Sequence, residues 1–204
     1  MPGGAGHRVG RSVNEAMVSE SVSSGSLFST SSAPSSSEGA VSAVLEATEG
    51  DPQRTDRYAQ FRMARQRVLT GPHPLTYLAV IHEAALHTRV GGPAVMRRQL
   101  LRLMQVSRLP NATVQVYPFE AGIYSAHTQA FVIYGGATPE LDTVYLEQPT
   151  ESLFLRDGEQ LDEYAKMFER LSELAPAPVD PESAPESHES RDSLSLVQHV
   201  MYAL

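Results

Sequence analysis

The six residues His82-Glu83-Ala84-Ala85-Leu86-His87 bring two imidazoles and a carboxylate within one short stretch, the residue types of a zinc-protease helix. The spacing does not serve zinc. Two ligating imidazoles must share one helix face, one turn apart, whereas five residues at about 100° each leave roughly 140° between them. The plainer reading makes His82 a strand-end imidazole satisfied by backbone and His87 an exposed position. Glu83 keeps two readings. It pairs with Arg89 or another arginine, or sits at a helix N-terminus where a carboxylate is favourable; otherwise it faces a ligand or serves as a general base. A second concentration of chemistry is the segment from Tyr117 through Pro118, Phe119, Glu120 and Tyr124 to His127. It reads as a loop, where binding residues tend to lie. Glu120, Tyr124 and His127 have the groups for acid/base work, while the plainer alternative has the aromatics capping the core.

Other signatures are missing from the sequence. There is no phosphate-binding P-loop, no GxGxxG after a strand and no GxSxG elbow. With no cysteine there is neither a disulfide framework nor a thiolate ligand or nucleophile. No cofactor and no metal are expected. The candidate ligand or partner contacts are therefore Glu83, Arg89, Tyr117, Phe119, Glu120, Tyr124, His127 and Tyr145.

These residues need elements to hold them. Leu75 to Ile81 is a short apolar run rich in β-formers and predicts a buried strand that ends at His82-Glu83, with Ala84 to His87 opening a short helix or turn. Ala112 to Tyr117, Ala130 to Tyr134 and Thr143 to Glu147 predict three more strands, with turns at Gly122, Gly135-Gly136 and Pro139. Helical spacing of apolar residues appears over 55–69, over 93–107 behind Gly91-Gly92-Pro93, over 159–174, and again from Leu194 to Leu204. Pro176 to Pro185 contains four prolines and predicts an extended linker, assigned to 176–188. The fold class is α+β: a small, mostly antiparallel sheet packed with amphipathic helices. In front of it, eleven serines occupy the nineteen positions 19–37. That composition cannot bury enough apolar area to offset ordering entropy, so 1–51 reads as largely disordered and 52–204 as the folded domain.

The net charge of −8 opposes general attraction to phosphate backbones, but the charge is unevenly spread. Residues 57–108 hold nine arginines and one acid, Glu83, whereas 138–204 hold fifteen acids and four basic residues. Either the two halves pair within the domain or across a homodimer, or the arginines line an anion or acidic-partner site. No apolar run approaches the roughly 20 residues of a membrane span, and no apolar segment follows Arg8 and Arg11 as a secretory signal requires. The expectation is a cytoplasmic protein without membrane contact.

Several segments together resemble one family: Arg62 to Leu69 (RMARQRVL), His82 to Leu86, Val90 to Leu100 (VGGPAVMRRQL), Pro110 to Gly122 (PNATVQVYPFEAG) and Val144 to Glu147 (VYLE). They are similar to the C-terminal domain that follows the helix-turn-helix in actinobacterial Xre-type transcriptional regulators, the group called Scr-like or WhiJ-like. The resemblance covers 57–204. It implies a sensory domain that binds a small-molecule ligand or a small antitoxin-like protein partner. The family's helix-turn-helix has no counterpart here, and Ser32 to Ser37 stand where its domain opens with Pro-Gly-Leu-Leu-Gln-Thr. The expectation is a stand-alone regulatory binding module that does not bind nucleic acid directly. The alternative is a domain repurposed as a small cyclase- or isomerase-type enzyme through Glu83, Glu120, Tyr124 or His127.

Overall fold

A computed structural model describes residues 15–20, 69–88, 92–122, 130–136, 138–147, 152–182 and 192–204. It confirms the α+β class. Six strands form one sheet: β1 (Glu15–Glu20), β2 (Thr76–His82), β3 (Ala112–Tyr117), β4 (Phe131–Tyr134), β5 (Thr143–Glu147) and β6 (Ser152–Leu155). Their order is β3-β2-β1-β4-β5-β6. The pairs β1–β2 and β2–β3 are parallel, and the pairs β1–β4, β4–β5 and β5–β6 are antiparallel.

Two strands lie where composition and pattern gave no expectation of one. β6 is four residues long. β1 lies within 1–51, the segment read as largely disordered, and pairs with β2 on one side and β4 on the other. Its Ala16-Met17-Val18 run is too short to stand out beside the serines, and the partner strands supply the ladder that propensity does not. The amphipathic stretch 55–69 lies outside the described residues except for Leu69.

Period-two alternation sends the side chains of each central strand to two separate cores. Tyr77, Ala79 and Ile81 of β2, Val114 and Val116 of β3, and Val132 of β4 share one cluster. Against it lie three helices: α1 (Glu83–His87), α2 (Pro93–Val106) and α4 (Ser193–Tyr202), through Leu86, Leu100, Leu103, Val197 and Val200. On the other face Val80, Tyr117, Phe131, Ile133, Val144 and Leu146 pack on α3 (Gly158–Leu174) through Leu161, Phe168 and Leu171. The helix starts are legible in the chain. Pro93 opens α2, where a missing N–H costs nothing. The carboxylates of Asp157 and Asp192 accept backbone N–H bonds in the first turns of α3 and α4.

β3 is an edge strand, and its outer backbone groups are satisfied by the chain that follows α3. Val179 N–H donates to the Val114 carbonyl at 2.8 Å, and Val116 N–H donates to Ser193 Oγ at 2.9 Å. Gln115 Nε2 donates to the carbonyls of Ser172 and Pro176, both at 3.1 Å. Over 176–182 the stretch is non-helical, and it is docked through Val179, which is 4% exposed, within the core. Residues 183–188 of the assigned linker lie outside the described residues.

Ser193 is fully buried, so Ser193→Ala strips the Val116 N–H of its partner at no gain in packing. We expect a loss of about 1–3 kcal/mol of unfolding free energy by urea denaturation, the ordinary cost of orphaning a buried donor. A change within a few tenths of a kcal/mol would show that water replaces the hydroxyl.

Candidate functional site

The site is assembled where two parallel strands end side by side. His82 closes β2 and is in register with Tyr117, which closes β3, and their rings stack with centroids 5.8 Å apart. Ligands of α/β sheets gather beyond the carboxyl ends of parallel strands, because the loops and helix N-termini that follow converge there. Here β2 runs straight into α1, and His82 is its cap: Nδ1 accepts the Ala84 N–H at 3.1 Å. The backbone-satisfied imidazole expected at this strand end is therefore present. His87, at the other end of α1, has a side chain 46% exposed, as expected.

Glu83 occupies the first turn of α1, one of the two plain positions foreseen for it. Its Oε2 accepts the Phe119 N–H at 2.8 Å, while Oε1 stands 3.7 Å from His87 Nε2. Its side chain is 15% exposed. The bond to Phe119 ties the turn after β3 to the helix after β2, and so fixes the floor of the site. That turn is a single 3-10 segment, Phe119–Ala121, which Pro118 opens and Gly122 closes at φ +78, a conformation that favours glycine. Tyr117 Oη reaches back over it to the carbonyls of Ala121 and Gly122, at 3.4 and 3.3 Å. Tyr117 is thus a buried brace for the turn. Phe119, by contrast, is 54% exposed, with its ring edge-on to His82 at 5.4 Å and tilted against His87 at 5.9 Å.

An open cleft of about 430 Å³ lies over this turn. One wall is Glu83, Pro118, Phe119, Glu120 and Ala121; the opposite wall is Leu174, Ala175 and Pro176 from the end of α3, with Leu196 of α4. Of the residues singled out from sequence, the structure brings Glu83, Phe119 and Glu120 to the cleft and sets Tyr117 beneath it. Arg89, Tyr124 and His127 lie outside the described residues. Tyr145 is elsewhere: on β5, three places along the sheet from β2, its Oη is 3.1 Å from Ser152 Oγ and its ring 5.2 Å from Phe154. At about 4.8 Å per strand that is on the order of 14 Å from β2, too far to share the site. Among the described residues no group of three acids or imidazoles is placed to hold a metal ion.

The far wall was not foreseen. Leu196 is not among the residues that α4 buries fully, Leu194, Val197, Val200 and Met201, but it is partly buried against the same core, so the apolar spacing of α4 reads as core and sets no separate wall residue apart. Leu174, Ala175 and Pro176 carry no signal either, since a helix end followed by proline occurs in any domain.

Among the described residues, the arginine-rich and acid-rich halves meet where Arg108 Nε is 2.8 Å from Glu182 Oε1. The pair is exposed on both sides and contributes about 0–1 kcal/mol. Arg97 instead donates to the Met201 carbonyl at 3.0 Å, which holds α2 against the end of α4. Compared with known proteins, residues 37–182 match the family model described as a domain of unknown function, DUF5753. No curated protein and no solved structure matches the chain.

The Glu83–Phe119 bond predicts a local effect. Glu83→Ala should raise the hydrogen-exchange rate of the Phe119 amide by about tenfold or more, whereas Glu83→Gln, which keeps an acceptor, should raise it less. Equal rates in the wild type and Glu83→Ala would mean that the bond does not hold the turn.

Proposed function

We propose that this chain, which belongs to the DUF5753 family, is a regulatory binding module of the kind that forms the sensory half of Xre-type transcriptional regulators. It takes a small ligand or a small protein partner at the cleft and does not read DNA itself. The observation that carries the reading is the cleft's construction. A half-exposed Phe119 is presented on a turn that Glu83, Tyr117 and Gly122 hold in place, opposite an apolar wall from α3 and α4. A rigid aromatic in an apolar recess is how binding surfaces concentrate affinity.

Electrostatics support the same reading. α3 shows solvent a row of acids, including Asp162, Glu163 and Glu169, which opposes approach to a phosphate backbone. The helices α2, α3 and α4 each spend their apolar face in the two cores, so none of these is a helix of a groove-reading pair. The bonds at Glu83 weigh against a general base there: one oxygen already accepts an N–H and the other faces His87. No membrane-crossing helix is present among the described residues.

Two measurements test the proposal. The purified chain should give no sequence-specific gel shift with DNA from its own upstream region; a tight, specific shift contradicts it. A small protein encoded beside it should bind in a calorimetric titration, and Phe119→Asp should weaken that binding by about tenfold or more, as loss of a central aromatic contact does.

A further inference from the structure

The sheet carries its poorest strand at its centre. β1 lies between β2 and β4, with a parallel ladder on one side and an antiparallel ladder on the other, and both neighbours bury side chains in the two cores. A strand covered on both faces reads as a nearly continuous apolar run. β2 does so over Tyr77 to Ile81 (YLAVI) and β4 over Phe131 to Tyr134 (FVIY), whereas β1 reads EAMVSE. Register shows where the mismatch falls. Ser19 stands between Val80 and Phe131, each 2% exposed, and Glu20 stands beside Ile81, 3% exposed. Met17 and Val18, by contrast, are apolar residues set between apolar residues, Leu78 and Ile133 for the first and Ala79 and Val132 for the second.

A conflict between local sequence and the demand of the fold is a mark of functional positions. We infer that the place between β2 and β4 is a strand-acceptor slot, in which β1 is a replaceable occupant and the preferred one is an extended, apolar segment of a protein partner, parallel to β2 and antiparallel to β4. The inference is independent of the cleft. Strand addition draws affinity from backbone hydrogen bonds that any sequence can make, so the side-chain positions decide between two candidates for one slot. An apolar residue at each position where β1 has Ser19 and Glu20 gains about 10- to 100-fold in affinity. β1 answers with the advantage of sharing the chain, an effective concentration on the order of a millimolar. Two such gains, about 10²- to 10⁴-fold together, bring a segment at micromolar concentration level with it.

The test uses the full chain and two fluorescein-labelled peptides of residues 13–22, one with the chain's own sequence and one carrying Ser19→Val and Glu20→Ile. Fluorescence anisotropy is followed until it is constant. The substituted peptide should bind saturably at micromolar concentration, and the unsubstituted one about a hundredfold more weakly. The full chain given the same two substitutions in its own β1 should refuse the substituted peptide and unfold at a higher urea concentration than the wild type. Absence of saturable binding to the wild type overturns the inference, and so does equal binding by a scrambled form of the substituted peptide. Equal binding to the wild type and the substituted chain overturns it too, because the peptide then sits outside the slot. A substituted chain no more stable than the wild type overturns the premise that positions 19 and 20 lack apolar surface.

Discussion

An edge strand cannot be left with its backbone half-bonded inside a domain, and the whole C-terminal part of this protein is arranged around that constraint on β3. The buried groups along its outer side, between Val114 and Val116, take their partners from Val179 and Ser193, while the Gln115 amide fastens the end of α3 to the strand. Because unpaired buried donors and acceptors cost more than most packing contacts return, these bonds decide where the chain goes after α3. It must run back along β3 before α4 can begin.

The cleft follows from that path. With Pro176 and Val179 held against β3, the end of α3 and Leu196 of α4 come to line the same recess as the turn that follows β3. There the strands deliver His82, Glu83 and Phe119. The near wall is thus set by local chain geometry, a helix that starts the moment its strand stops, and the far wall by a long-range requirement of the sheet. Residues more than fifty positions apart share one recess because a backbone N–H at Val116 needs an oxygen.

The sequence therefore revealed the two walls unequally. β2, β3, β4 and β5 announce themselves by apolar, β-branched and aromatic runs, and the helices by caps and spacing, since those signals are local. Glu83 and His82 were placed at a strand end for the same reason, and both are there. What stayed hidden depends on partners. β1 has three apolar residues in a polar surrounding and becomes a strand through the neighbours it pairs with. The proline stretch reads as spacer because its prolines are conspicuous, whereas the one residue that docks it, Val179, is a single apolar position with no periodicity around it. Tyr145 stood out by its chemistry, yet strand order places it away from the cleft, and strand order is not encoded in any one segment.

The cleft requires α4 to face the turn after β3. The chain has no cysteine, so the variant Phe119→Cys with Leu196→Cys carries the only two thiols. Treated with a short bis-maleimide at low protein concentration, it should cross-link within each molecule rapidly, and addition of denaturant before the reagent should abolish the advantage. If the folded and unfolded chains cross-link at the same slow rate, the two walls do not meet and the cleft does not exist.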